Sequence, residues 1–146
     1  MEFCITSNKG ILKQADELLY QVLWQPFGLP RDTRNKFEII GEEMVFVAVQ
    51  EDRVIAAFVL INRGKEAEIR HAAVHQELHR SGIGRTLCKM VLDYVKAHGV
   101  RKIEVYGRNT AIAFWEKLGF QDESGWLDHD LFIKYGIRFK KMVKIV

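Results

Sequence analysis

The chain has 146 residues, 48% of them hydrophobic and 28% charged, with a formal net charge of +3. These are the values of an ordinary globular protein with enough apolar mass for one core, so a single domain over residues 1–146 is expected. The 22 Lys and Arg are scattered among 19 Asp and Glu, which speaks against nucleic acid as a partner. Cys4 and Cys88 are the only cysteines and form no C-x-x-C pair; neither a disulfide framework nor a metal site is expected. The opening MEFCITSNKG is not a signal peptide and no apolar run is long enough to span a bilayer, so the expected address is the cytoplasm, away from membranes.

Glu2 to Thr6 alternate as a short strand does, and Ser7 or Asn8 offers a helix cap. Ile11, Leu12, Ala15, Leu18, Leu19, Val22 and Leu23 recur at helical spacing until Pro26, Gly28 and Pro30 force a loop. Asp32 or Thr33 then predicts a second, shorter helix through Ile40. Met44 to Val49 and Val54 to Ile61 read as a hairpin, and Glu66 to Val74 as a third adjacent strand. Ile83, Leu87, Met90, Val91, Tyr94 and Val95 form an amphipathic helix ended by Gly99. Cys88 lies within it, where a buried, inert thiol is expected. Lys102 to Tyr106 is another strand, and Thr110 caps a helix closed by Gly119. Leu131 to Tyr135 and Ile137 to Ile145 predict a last hairpin around Gly136. The basic group Lys134, Arg138, Lys140, Lys141 and Lys144 reads as a solvated edge strand. The sum is β-α-α-β-β-β-α-β-α-β-β, a mixed sheet with helices packed on it.

One stretch calls for chemistry. In His79-Arg80-Ser81-Gly82-Ile83-Gly84-Arg85-Thr86-Leu87, two glycines open a helix and arginines flank them. A dinucleotide fingerprint lacks its third glycine, since Leu87 stands there, and a Walker loop lacks its Gly-Lys-Ser/Thr. A plain glycine turn before a helix is the bland alternative. Arg85, however, falls in the first helical turn, where the macrodipole disfavours a cation. Free backbone N–H groups point outward from that turn, so an anion docked there would satisfy both the amides and Arg80 with Arg85. The stretch reads as a phosphate cradle.

With that placement, His79-Arg80-Ser81-Gly82-Ile83-Gly84 resembles the coenzyme A loop Gln/Arg-x-x-Gly-x-Gly/Ala of the GNAT N-acetyltransferases, departing from it at His79. The segment from Gly107 through Phe120, GRNTAIAFWEKLGF, is similar to that family's A-R-x-x-A-x-x-F-Y-x-x-L-G-F signature. The resemblance implies an α/β (α+β) fold, a mostly antiparallel sheet of about six to seven strands with about four helices on its faces. It implies acetyl-CoA as cofactor, no metal, and a primary amine of a small molecule or peptide as the second substrate, attacking directly in a ternary complex. A monomer or homodimer fits it equally.

The resemblance also implies roles. Ala72, Ala73 and Val74 take the strand position whose backbone meets the pantetheine and the acetyl carbonyl. Residues His79, Arg80, Ser81, Gly82, Ile83, Gly84 and Arg85 hold the pyrophosphate, and Asn109 the pantetheine arm. Glu68 stands where family members carry a base that takes the amine's proton, often through water; an exposed strand carboxylate is its alternative reading. On a regular strand Glu68 and Arg70 share one face, Ile69 and His71 the other. His71 is the weaker candidate base, suited by its ordinary pKa. Trp115 occupies the place of the family's tyrosine acid, and an indole N–H donates hydrogen bonds but not protons. That leaves open an acyl-CoA-binding module with weak or lost catalysis. Acceptor choice is expected from the loop Gln25 to Asn35 and the connection Gln121 to Asp130. Glu42, Glu43, Asp128, His129 and Asp130 either meet a cationic amine there or solvate their loops.

Overall fold

A computed structural model describes residues 1–36 and 39–146. Seven strands form one sheet: β1 (Glu2–Thr6), β2 (Glu42–Gln50), β3 (Arg53–Asn62), β4 (Glu66–Val74), β5 (Lys102–Arg108), β6 (Gln121–Leu127) and β7 (Phe139–Ile145). Their spatial order is β1-β2-β3-β4-β5-β7-β6, antiparallel throughout except for the parallel pair β4 and β5. That pair needs a crossover connection. It is supplied by α2 (Ile83–Ala97), which the amphipathic pattern predicts.

Each face of the sheet buries its own core. On one, Phe46, Phe58, Leu60 and Ile69 pack against Leu87 and Val91 of α2 and against Trp115 of α3 (Ile112–Lys117). On the other, Val45, Val59 and Ile61 meet Leu18 and Leu19 of α1 (Lys9–Leu19) together with Trp24 and Phe132. Asn8 caps α1 as expected, its side chain accepting the Ile11 N–H at 3.0 Å. The helix continues as one π turn, Tyr20–Trp24, before a 3₁₀ turn Gln25–Phe27 ends at Gly28, φ 72°. Cys88 is fully buried in the α2 core, and burial pushes its thiol up to about 12.

Several expectations change. The predicted second helix is a 3₁₀ segment, Arg31–Lys36, and its Phe37 and Glu38 lie outside the described residues. Thr33 does not cap it; buried, it turns its hydroxyl to the Pro30 carbonyl at 2.6 Å. Thr110 does not cap α3, whose N-cap residue is Ala111, with no side-chain cap. The last hairpin joins β6 to β7, and Leu131 to Tyr135 is not a strand: it overlaps the short helix α4 (Asp130–Ile133), capped by His129. The basic C-terminal strand is not an edge. β7 lies between β5 and β6, and Lys140 and Lys141 pair with Asp122 at 3.2 Å and Glu123 at 3.1 Å on β6.

Nor is β4 regular. Val59 pairs with His71 while Leu60 pairs with Ile69, so Arg70 is an extra residue in the strand. This bulge reverses the alternation beyond it. Ile69 faces the α2 side, but His71 turns to the opposite face against Trp24, rings 5.1 Å apart and 87° to one another. Glu68 and His71 therefore share a face, contrary to the regular-strand reading.

Candidate active site

The parallel pairing of β4 with β5 runs only from Glu66–Lys102 to Ile69–Val105. Beyond it β4 bends at its bulge and keeps β3 alone as neighbour, while β5 continues along β7 to Arg108. The strands diverge, and a cleft of about 1140 Å³ opens between them. Ala72, Ala73 and Val74 line it. With no strand on that side among the described residues, the backbone edge of β4 is presented to the cleft, and the small side chains leave it accessible.

At one end of the cleft lies the loop into α2. The His79 ring Nε2 lies 2.8 Å from the Val74 carbonyl, to which it donates, and this ties the loop to the end of β4. Arg80 is held at φ 66° and Gly82 at φ 86°, two left-handed residues separated by Ser81. For arginine that conformation costs of order 1 kcal/mol, and such strain concentrates at functional turns. Helix α2 then begins with no capping side chain, so the amides of its first turn have no partner within the helix. Among the described residues neither Arg80 nor Arg85 makes an ion pair, and both are exposed. Uncapped amides, two uncommitted guanidinium groups and open space over Gly82 fit an anionic, phosphate-bearing cofactor.

The two glycines do different work. A Cβ on Gly82 would meet nothing within 4 Å, and its conformation is what requires glycine. A Cβ on Gly84 would lie 3.2 Å from Val74 and 3.4 Å from the Phe114 ring, so this glycine lets α2 pack closely on β4 and α3. Ser81 turns its hydroxyl back to the Leu78 carbonyl, and Ile83 is buried in the core; neither side chain lines the cleft. Asn109 also stands apart from it. Its amide donates to the Gly136 carbonyl at 3.3 Å and accepts the Arg138 N–H at 3.2 Å, fastening the end of β5 to the loop before β7.

Trp115 lines the cleft from beneath at 4% exposure. Its ring packs edge-on against Phe114 at 4.9 Å, Phe120 at 5.4 Å and Phe58 at 6.1 Å. A Cβ on Gly107 would come within 2.9 Å of it, so β5 gives way to the indole at that point.

Glu68 lies at the floor of the opening, 4% exposed. Its Oε1 accepts from Arg63 at 2.8 Å and its Oε2 from Arg70 at 3.3 Å. Arg63 also reaches Glu104 at 3.5 Å, whose other oxygen meets Lys141 at 3.3 Å. His71 lies in the same wall. Burial, with Arg34, Arg70 and Arg108 nearby, lowers its pKa to about 3, so the imidazole is neutral at pH 7 and holds a proton poorly.

The remaining wall is aromatic: Trp24, Phe27, Phe132 and Phe139, joined by Arg108. Sequence reasoning assigned no role to these residues. Trp24 precedes the loop expected to govern the acceptor and Phe27 lies within it, but only the π turn after α1, a feature without a sequence signature, aims Trp24 at His71. Arg108 sits inside the GRNTAIAFWEKLGF segment, and its place at the end of the diverging strand is the signal that was available. Of the acids considered for a cationic amine, Glu43 pairs with Arg34 and Asp128 with Arg138. Among the described residues no group of three or more His, Cys, Asp or Glu is placed to hold a metal, and no helix is long and apolar enough to cross a membrane.

Residues 14–120 match the model of the acetyltransferase (GNAT) family. The chain belongs to that family and is an N-acetyltransferase by class. It is 27% identical over 112 residues to the uncharacterised N-acetyltransferase YvbK of Bacillus subtilis, covering 68% of this chain and 71% of that protein. Its fold is similar to that of Escherichia coli ElaA, with a TM-score of 0.83 at 14% identity over 99% of each chain. It is also similar to that of a GNAT family acetyltransferase from Elizabethkingia anophelis solved with acetyl-CoA bound, with a TM-score of 0.72 at 16% identity over 99% of this chain and 98% of that one.

Proposed function

We propose that residues 1–146 form one catalytic unit that transfers an acetyl group from acetyl-CoA to a primary amine within a ternary complex. The observation that carries this reading is the continuity of the cleft. An anion cradle at Arg80–Arg85, the bare edge of β4 at Ala72–Val74 and an aromatic pocket beyond lie in one opening. The acetyl-CoA-bound relative of the same fold supports the choice of cofactor. The cytoplasm, where thiols such as Cys4 and Cys88 stay reduced, is the compartment that suits it.

Bound there, acetyl-CoA supplies an activated acyl carbon: the C–N bond to the amine forms, the C–S bond breaks, and the sulfur leaves as thiolate. The chain does the positioning. Arg80, Arg85 and the first amides of α2 hold the phosphates, while backbone groups of Ala72 to Val74 fix the acyl arm and receive the charge that develops on its carbonyl oxygen. Glu68 takes the amine's proton through water. His71 is a wall of the pocket rather than a base. Trp115 supplies packing and excludes water beneath the sulfur rather than acting as an acid, and the sulfur leaves as thiolate, since a thiol ionises near a pKa of roughly 8.5.

Calorimetric titration with coenzyme A tests the cradle. The wild-type chain binds, and Arg80→Glu and Arg85→Glu each weaken binding by at least tenfold, about 1.4 kcal/mol. Unchanged affinity in both variants overturns the assignment of this loop.

A further inference from the structure

The aromatic end of the cleft contains a cation with no counter-ion among the described residues. Arg108, the last residue of β5, places its guanidinium carbon 5.8 Å from the ring centres of both Phe27 and Phe132. The other arginines acting on His71 have carboxylate partners: Arg34 pairs with Asp16 at 3.1 Å and with Glu43, and Arg70 pairs with Glu68 at 3.3 Å. Among the described residues the Arg108 guanidinium makes no ion pair and no hydrogen bond; its contacts are with the Phe27 and Phe132 rings. Burial pushes its pKa down to about 10, which leaves it charged at neutral pH.

A half-buried guanidinium without an anion is a cost to folding, and ring faces offset only part of it. Such a charge is accounted for when the ligand brings the partner, because a guanidinium and a carboxylate match as a two-point pair. The walls also argue against a polycationic acceptor. Glu68 and Asp128 line the cleft, but each is already committed to arginine, Asp128 to Arg138 at 2.7 Å.

We propose that Arg108 binds a carboxylate of the acceptor, so that the acceptor is a primary amine carrying a carboxylate and an apolar or aromatic side chain. A free amino acid and a short peptide both present that chemistry. The inference rests on the acetyltransferase reading of the same cleft.

The test compares kcat/KM for L-phenylalanine and for phenethylamine, which lacks only the carboxylate, with Phe-Gly as the peptide arm. The wild-type enzyme favours phenylalanine over phenethylamine by at least tenfold, expressed in KM. Arg108→Gln brings that ratio close to one, and Arg108→Lys keeps part of it. The Phe-Gly arm separates amino acid from peptide. A wild-type ratio near one overturns the proposal. So does an equal loss on both amines in Arg108→Gln, which would put Arg108 on a group common to both reactions. Where neither amine is acetylated, binding of N-acetyl-L-phenylalanine in the presence of coenzyme A, followed by tryptophan fluorescence, decides: no binding, or equal binding in wild type and Arg108→Gln, overturns it. Coenzyme A titration of the same preparations is independent of Arg108, so its failure counts against the cofactor reading alone.

Discussion

Glu68 and His71 are three residues apart, share a face of the sheet, and behave in opposite ways. Glu68 is buried between Arg63 and Arg70, so its charge is countered on both oxygens. Glu68→Gln is expected to lower kcat with little change in coenzyme affinity, and raising the pH recovers part of the loss because more amine is then neutral. A pH-independent deficit would show that Glu68 serves only to hold its arginines. His71 is depressed to about 3 from an ordinary 6.5. Between those values the unfolded chain binds a proton that the folded chain does not, so stability is full above about pH 6.5 and falls as the pH drops toward 3. His71→Phe is expected to flatten this acid limb in urea titrations at several pH values; an unchanged slope would mean that the folded imidazole takes up its proton normally. Both residues were legible as candidates from their place ahead of Ala72 to Val74. Their relative orientation was not, because a bulge is a single extra residue that no periodicity announces.

At the scale of elements, pattern served where an element buries apolar surface. α1 and α2 repeat apolar residues at the helical period, β2 and β3 are continuous apolar runs because both of their faces are buried, and the sequence boundaries of β4 are those observed. β6 fails that test for a physical reason. It is an edge strand, QDESGWL, with all but one residue exposed, and it is held by acid–lysine pairs across to β7, so it has no apolar period to read. The four apolar residues of the Leu131–Tyr135 run fit a strand or a helical turn alike, and the His129 cap decides for α4. The cradle glycines were legible as a pair but not in their division of labour. Since a Cβ at Gly84 would press on Val74 and Phe114, Gly84→Val is expected to cost about 1–3 kcal/mol by overpacking. It would also tilt α2 and weaken coenzyme binding. Thermal denaturation at the wild-type midpoint would contradict this account of the α2–β4 contact.

Over the whole molecule, the site is a consequence of topology. One parallel pair in an otherwise antiparallel sheet, released after four residues by the Arg70 bulge, leaves a cleft between the two cores. The proposed cofactor end was legible because a glycine-rich loop between a strand and an amphipathic helix is local in sequence. The proposed acceptor end was not, since Trp24, Arg108 and Phe132 come from distant segments and meet only in the folded chain. The absence of a tyrosine at Trp115 bears on rate. Trp115→Tyr is expected to raise kcat for a reactive amine above both wild type and Trp115→Phe, by up to the roughly 10²–10⁴-fold that a positioned acid supplies. Equal losses in both variants would show that the indole is needed for its packing against Phe58, Phe114 and Phe120. The most direct measurement of the central claim is a single assay of thiol release from acetyl-CoA together with the mass of the amine product. The account predicts one thiol freed for each acetyl-amine formed, in the wild-type chain and to a much smaller extent in Arg85→Glu. Coenzyme binding at the Arg80–Arg85 loop with no acetyl transfer to any primary amine across a broad panel would contradict it.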